Sequence, residues 1–206
     1  MRVKTEEKRQ AILAAAKDVF LVNGFEAASM AEIAKVTGGS KQTLYSYFAS
    51  KEELFVAVML EYSARLILPA FQMLEDDKDL ADALKAFGKA FLTAISTPDV
   101  VAFRRVLAGE GARSGIGPLF YQNGPLMGLT RLAGFMERQM ALGRMRTVPA
   151  FTAAEQFIAL CESGPLRLHI QGVRGPISQA EIAEAAERAA DLFTSGYGVA
   201  SIQLRP

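Results

Sequence analysis

The sequence predicts an all-α protein: an N-terminal three-helix domain built around a helix-turn-helix, then a larger helical domain, about nine helices in all. Three observations carry that prediction. Apolar residues recur at the helical period through most of the chain. Ser/Thr-x-x-Glu pairs, the signature of a capping box, stand at Ser29/Glu32, Ser50/Glu53, Thr152/Glu155 and Ser178/Glu181. Alternating β-branched runs bounded by turns are missing.

Residues 5–23 read as the first helix, with Ile12, Ala15, Ala16, Val19 and Phe20 on one stripe and Asn23-Gly24 at its end. Phe25 is expected to plug the small core. Lys4, Lys8 and Arg9 gather near the helix start, either touching phosphate or forming a solvated helix end. Ser29 then opens a short helix through Ala31, Ile33 and Ala34, which Thr37-Gly38-Gly39 stops. Ser40 opens a second short helix at once, and two short helices across a tight turn make a helix-turn-helix.

That second helix divides into two faces. Leu44 and Phe48 point to a core, while Lys41, Gln42, Tyr45 and Ser46 point outward with Thr43 and Tyr47 on the flank. The outer face offers hydrogen-bonding groups and no carboxylate, which suits a phosphate-lined groove. Ser50 with Glu53 opens a third helix, and Lys51 at its first turn is expected to form an anion site for one DNA phosphate.

The wording T-G-G-S-K-Q-T-L-Y-S-Y-F-A-S-K-E-E-L-F, residues 37–55, closely resembles the recognition segment of the TetR family of bacterial repressors. Those proteins typically read G-V-S-x-x-T-L-Y-x-Y/H-F-x-S-K-E-x-L; Gly39 stands where the family usually has valine. The resemblance implies that Lys41, Gln42 and Tyr45 approach base edges, while Ser29, Thr43, Tyr47 and Lys51 hold phosphates. It also implies a second helical domain that encloses a small-molecule pocket and pairs through its last two helices with a second subunit. The segments GPLFYQNGPL and AAERAADLFTSGYG resemble one common C-terminal subtype.

The domain boundary falls at residue 50, giving a DNA-binding domain over 1–50 and a ligand-binding and dimerisation domain over 51–206. From Lys51 an amphipathic helix runs to about Ile67, ahead of Pro69, and is expected to join the two domains rigidly. Residues 75–79 read as an acidic surface turn. Helices are expected over 79–96 and 98–109, with 109–117 a glycine-rich loop. Pro118 starts another helix, which Asn123-Gly124-Pro125 interrupts and which ends near Gly143. After the connector 143–149 come a helix from Thr152 bent at Gly164-Pro165, then a last helix from Ser178 to Gly196.

Composition restricts the function classes. Residues 1–51 carry eight Lys/Arg against five Asp/Glu, and the remainder fifteen against seventeen, so the basic end coincides with the helix-turn-helix. The single Cys161 and single His169 cannot build a zinc or iron site, and both read as helix packing or boundary residues. No Walker loop, dinucleotide fingerprint or G-x-S-x-G occurs, so neither an enzyme nor a cofactor is expected. No apolar run approaches a membrane span and the first residues lack a signal-peptide core, so the expected place is the cytoplasm.

Large flexible and aromatic side chains in the second domain suit an adaptable cavity as well as an ordinary core. The expected wall is Tyr62, Phe87, Phe91, Phe103, Met127 and Phe135, with Arg131 (or Arg104 or Arg105) facing an acidic group or remaining solvated. The ligand is then a small apolar or aromatic molecule. The small residues Ala183, Ala185, Ala186, Ala189 and Ala190, with Leu192 and Phe193, offer a helix face for a homodimer or for packing within one subunit. The expectation is a dimeric repressor that binds a palindromic operator and is released by its ligand. Two alternatives are a helical DNA-binding architectural or partner-docking protein with no inducer, and an enzyme carrying a helix-turn-helix.

Overall fold

The computed structural model describes residues 5–74 and 79–199, and the described residues form eleven helices and no strand beyond one isolated bridge, Met145 with Gly198. Lys4 and most of the acidic turn at 75–79 lie outside the described residues.

Helix starts follow the polar caps. Thr5 caps α1 (Glu6–Ala27), Ser29 caps α2 (Met30–Val36) and Ser40 caps α3 (Lys41–Tyr47), each hydroxyl accepting a first-turn N–H. Ser50 accepts from Glu53 N at the start of α4 (Lys51–Phe71), and the Glu53 carboxylate accepts from Ala49 N. Asp79 caps α5 (Leu80–Ile95). At α11 (Gln179–Tyr197) Ser178 and Glu181 complete a capping box. The Arg174 guanidinium, together with Ser178, holds the Glu181 carboxyl down at about 2.

Three expectations are corrected here. Residues 109–117 are not a loop: α6 (Pro98–Ser114) runs through Gly109 and Gly111, breaks at Gly115 with φ 76°, and α7 (Ile116–Asn123) follows at once. Gly111 and Gly117 allow close approach, since a Cβ on Gly117 would stand 3.0 Å from the Gly111 carbonyl oxygen. Thr152 does not cap its helix, because α9 (Ala150–Glu162) has already begun two residues earlier, with Pro149 at its N-cap position. Pro69 lies inside α4, whose last residues turn on i→i+3 bonds such as Gln72 N to Pro69 O. By length and composition α4 could also cross a membrane. Its Leu54, Phe55, Val58 and Met59, however, are buried in a protein core.

The remaining helices are α8 (Pro125–Ala141) and α10 (Pro165–Ile170). The chain forms two compact units, Met1–Ala64 with Pro98–Gly124 and Arg65–Thr97 with Pro125–Pro206. These units do not divide at residue 50, and the first core shows why. Phe55 of α4 meets Phe20 and Phe25 of α1 at 5.1 and 5.2 Å and Phe103 of α6 at 5.6 Å. Phe103 and Ile116 are therefore buried with the helix-turn-helix. Lys17 of α1 adds an ion pair with Asp99 of α6 and lies 4.5 Å from the Tyr62 ring.

In the second unit α11 packs on α5 and α9. The approach is close because Gly88 has no side chain: a Cβ there would stand 3.3 Å from Ala186 Cβ and 3.4 Å from Cys161 Sγ. Burial pushes the Cys161 thiol up to about 12, consistent with an inert packed group. Phe87 stacks on Phe91 and meets Phe157, which in turn meets Phe193.

Candidate nucleic-acid interface

The turn between α2 and α3 is a Schellman motif. Gly38 takes φ 63°, its N–H donates to Lys35 O at 3.2 Å, and the Gly39 N–H donates to Ala34 O at 3.0 Å. Only Gly38 needs a positive φ. A Cβ on Gly39 would meet Thr37 Oγ1 at 3.6 Å and Lys8 Nζ at 3.8 Å, ordinary contacts. Gly39→Ala is therefore expected to stabilise the protein by about 0.4–1 kcal/mol, read by thermal or urea unfolding. A loss of stability would show that the turn needs glycine twice.

Leu44 and Phe48 anchor α3, both buried, so its opposite side is fixed in the open. Lys41, Gln42 and Tyr45 are exposed there, Tyr45 at 44%, with the Lys41 ammonium 5.8 Å from the Tyr45 ring centroid. No acidic residue occupies the first turn of α3. Positive charge, amide and phenol thus stand together on one rigid face, the donor and acceptor set that reads base edges.

The other five candidates already serve the fold. Ser29 Oγ accepts from Glu32 N, and the Glu32 carboxylate accepts from Asn23 Nδ2 at 2.9 Å. Thr43 Oγ1 bonds Ser40 Oγ at 2.9 Å, and Ser46 Oγ donates to Thr43 O at 2.7 Å. Tyr47 Oη accepts from Thr5 N at 2.9 Å, pinning the start of α1 beside α3. Lys51 departs most from expectation: its ammonium donates to the carbonyls of Phe25, Glu26 and Ala28 at 2.8, 3.2 and 3.2 Å. Lys8, expected to touch phosphate or to form part of a solvated helix end, instead donates from Nζ to Thr37 O at 3.0 Å across the turn. Helical periodicity describes one helix at a time and carries no signal for such ties.

The proposed ligand wall is distributed over both units. Tyr62 and Phe103 belong to the first, and Phe103 fills its core. Phe87, Phe91, Met127, Arg131 and Phe135 belong to the second. There Phe87 and Phe135 are buried and Phe91 is half-buried. Arg131 lies 5.8 Å from the Phe71 ring centroid, and Phe71 meets Phe87 at 5.2 Å. Met127 faces outward at 57% exposure. The alanine face expected at a dimer contact is corrected: Ala185, Ala186, Ala189, Ala190 and Phe193 are buried within the subunit. The other side of α11, with Glu184, Glu187, Arg188, Asp191 and Leu192, is exposed.

Comparisons with known proteins bear on the family and the fold. Residues 12–58 match the family described as bacterial regulatory proteins, tetR family, and residues 82–199 match the AefR-like transcriptional repressor, C-terminal domain. A flavonoid-responsive regulator, FrrA, has a solved structure 30% identical in sequence with a TM-score of 0.79, covering 96% of this chain and 100% of that one. A TetR family transcriptional regulator from Pseudomonas syringae pv. tomato is 26% identical at a TM-score of 0.74, covering 95% and 100%. The HTH-type transcriptional activator FasR of Mycolicibacterium smegmatis is 38% identical over 94 residues, 46% of this chain and 43% of that protein. The match to such curated relatives therefore spans about half of their length or less. A family match over more than half of the residues, with the helix-turn-helix wording at its N-terminal end, places the chain in the tetR family of bacterial regulatory proteins.

Proposed function

We propose that the chain is a dimeric cytoplasmic repressor that binds a palindromic DNA operator through α3 and leaves it when a small apolar or aromatic molecule binds. The observation that carries this reading is the exposed Lys41, Gln42 and Tyr45 face on a helix whose opposite side is buried. Lys41, Gln42 and Tyr45 approach bases, and Ser29, Thr43, Ser46 and Tyr47 lie toward the backbone, where contacts position without specifying.

One recognition helix reads only a few base pairs, so a two-fold pair with half-sites about one turn or a multiple apart is needed for specificity. With the alanine face enclosed, the exposed sides of α9 and α11, including Ala159, Arg188 and Leu192, are the surfaces for the second copy. For the ligand, the Phe71, Phe87 and Phe91 rings with the Arg131 guanidinium suit an aromatic molecule bearing an acidic or hydroxyl group. The flavonoid response named for FrrA supports an aromatic inducer. That ligand must prefer the geometry that does not fit DNA, since equal affinity for both would shift nothing.

The test is a selection of random duplexes by the purified protein, followed by light scattering and release of a fluorescent operator by a panel of aromatic compounds. A palindromic consensus bound by dimers supports the reading. A monomer at micromolar concentration with no sequence preference would sink it.

A further inference from the structure

The side chain of Lys51 reaches backward from the first turn of α4 to the end of α1, and the reason lies in α1 itself. A helix ends with unpaired carbonyls and partial negative charge, which a cation in the last turn usually offsets. The last turn of α1 has no basic residue, and the helix is broken at Gly24, where φ is 75°. The carbonyls that follow the break converge on the Lys51 ammonium: Phe25 O at 2.8 Å, Glu26 O at 3.2 Å and Ala28 O at 3.2 Å. The Phe25 ring centroid lies 4.3 Å from the same nitrogen. An ammonium has three protons, and all three have an oxygen here, with an aromatic face beside them.

We propose that Lys51 acts in DNA binding as a positioning residue, clamping the α1–α2 corner, and does not neutralise a phosphate. This rests on the DNA-binding reading. Ala28 is the residue immediately before Ser29, the N-cap of α2, and α2 carries the turn that sets α3. Holding the three carbonyls fixes where α2 begins and hence how α3 is presented. A phosphate could take the ammonium only by displacing an oxygen that has no other cation in the last turn of α1. A compact tetrahedral ammonium suits three converging carbonyls, whereas a planar guanidinium does not.

Two measurements test it, using the full chain, a duplex recovered by selection and a scrambled duplex. In the first, affinities of wild type, Lys51→Met and Lys51→Arg are compared over a range of salt. Both variants are expected to bind the selected duplex roughly tenfold more weakly, the scale of one lost charge-assisted hydrogen bond, with the salt slope unchanged. A Lys51→Met slope smaller in magnitude by about 0.9, or full rescue by Lys51→Arg, would overturn the proposal, because a phosphate contact predicts both. The second needs no variant to fold. In side-chain lysine spectra of wild type, the Lys51 ammonium is expected to exchange slowly without DNA and to stay unmoved, with no phosphorus coupling, when the duplex is added. Fast exchange in the free protein, or a nitrogen–phosphorus coupling in the complex, would contradict it. Slow exchange in a protein that binds neither duplex would leave the clamp standing and remove the DNA-binding reading instead.

Discussion

Ala186→Arg is expected to unfold the second unit, not to yield a folded monomer. Ala186 is buried within its own subunit and faces Gly88, where there is no room even for one added methyl group without displacement. A guanidinium placed there is an unpaired buried charge, costing on the order of 3–5 kcal/mol. Domains are stable by only about 5–15 kcal/mol in total, so much of the margin disappears. Circular dichroism and soluble yield give the readout. The contrast is Leu192→Glu on the exposed side of α11, at 57% exposure, which is expected to keep the helical signal and give monomers by light scattering. A soluble, fully helical Ala186→Arg protein would show that the face is not enclosed.

Phe55→Ala is expected to cost about 3–5 kcal/mol, the range for deleting a buried phenyl ring. Phe55 is wholly buried and touches the rings of Phe20, Phe25 and Phe103, so its loss opens a cavity among α1, α4 and α6 at once. Urea unfolding of the variant measures the cost. A change below ~1 kcal/mol would mean that the site collapses freely and that Phe103 does not share a core with the DNA-reading helices.

The helical architecture was legible in the sequence because caps and periodicity are local. Ser29, Ser40, Ser50 and Ser178 each sit within three residues of the backbone N–H they satisfy. The exposed face of α3 was legible for the same reason, since Leu44 and Phe48, four residues apart, decide which way a seven-residue helix turns. What was not legible depends on tertiary neighbours. Gly111 looks like a loop residue until Gly117 packs on it. The alanines of α11 suit either a partner copy or α5, and spacing cannot separate the two. Lys51 looks like a phosphate ligand at a helix start, yet the carbonyls it meets lie 23 to 26 residues away in sequence. Phe103 likewise joins the first core from far along the chain, which moved α6 and α7 out of the domain that sequence position suggested.

The measurement that bears most directly on the central claim is the base preference of wild type beside that of Gln42→Ala. Gln42 is exposed on α3, and among the described residues no hydrogen bond to its side chain accounts for a glutamine there. If α3 reads base edges, wild type selects a two-fold symmetric site, and Gln42→Ala relaxes one or two positions in each half-site by ~1–3 kcal/mol while the salt slope stays the same. An unchanged preference, or an equal loss of affinity for every duplex, would contradict the assignment of α3 as the reading helix.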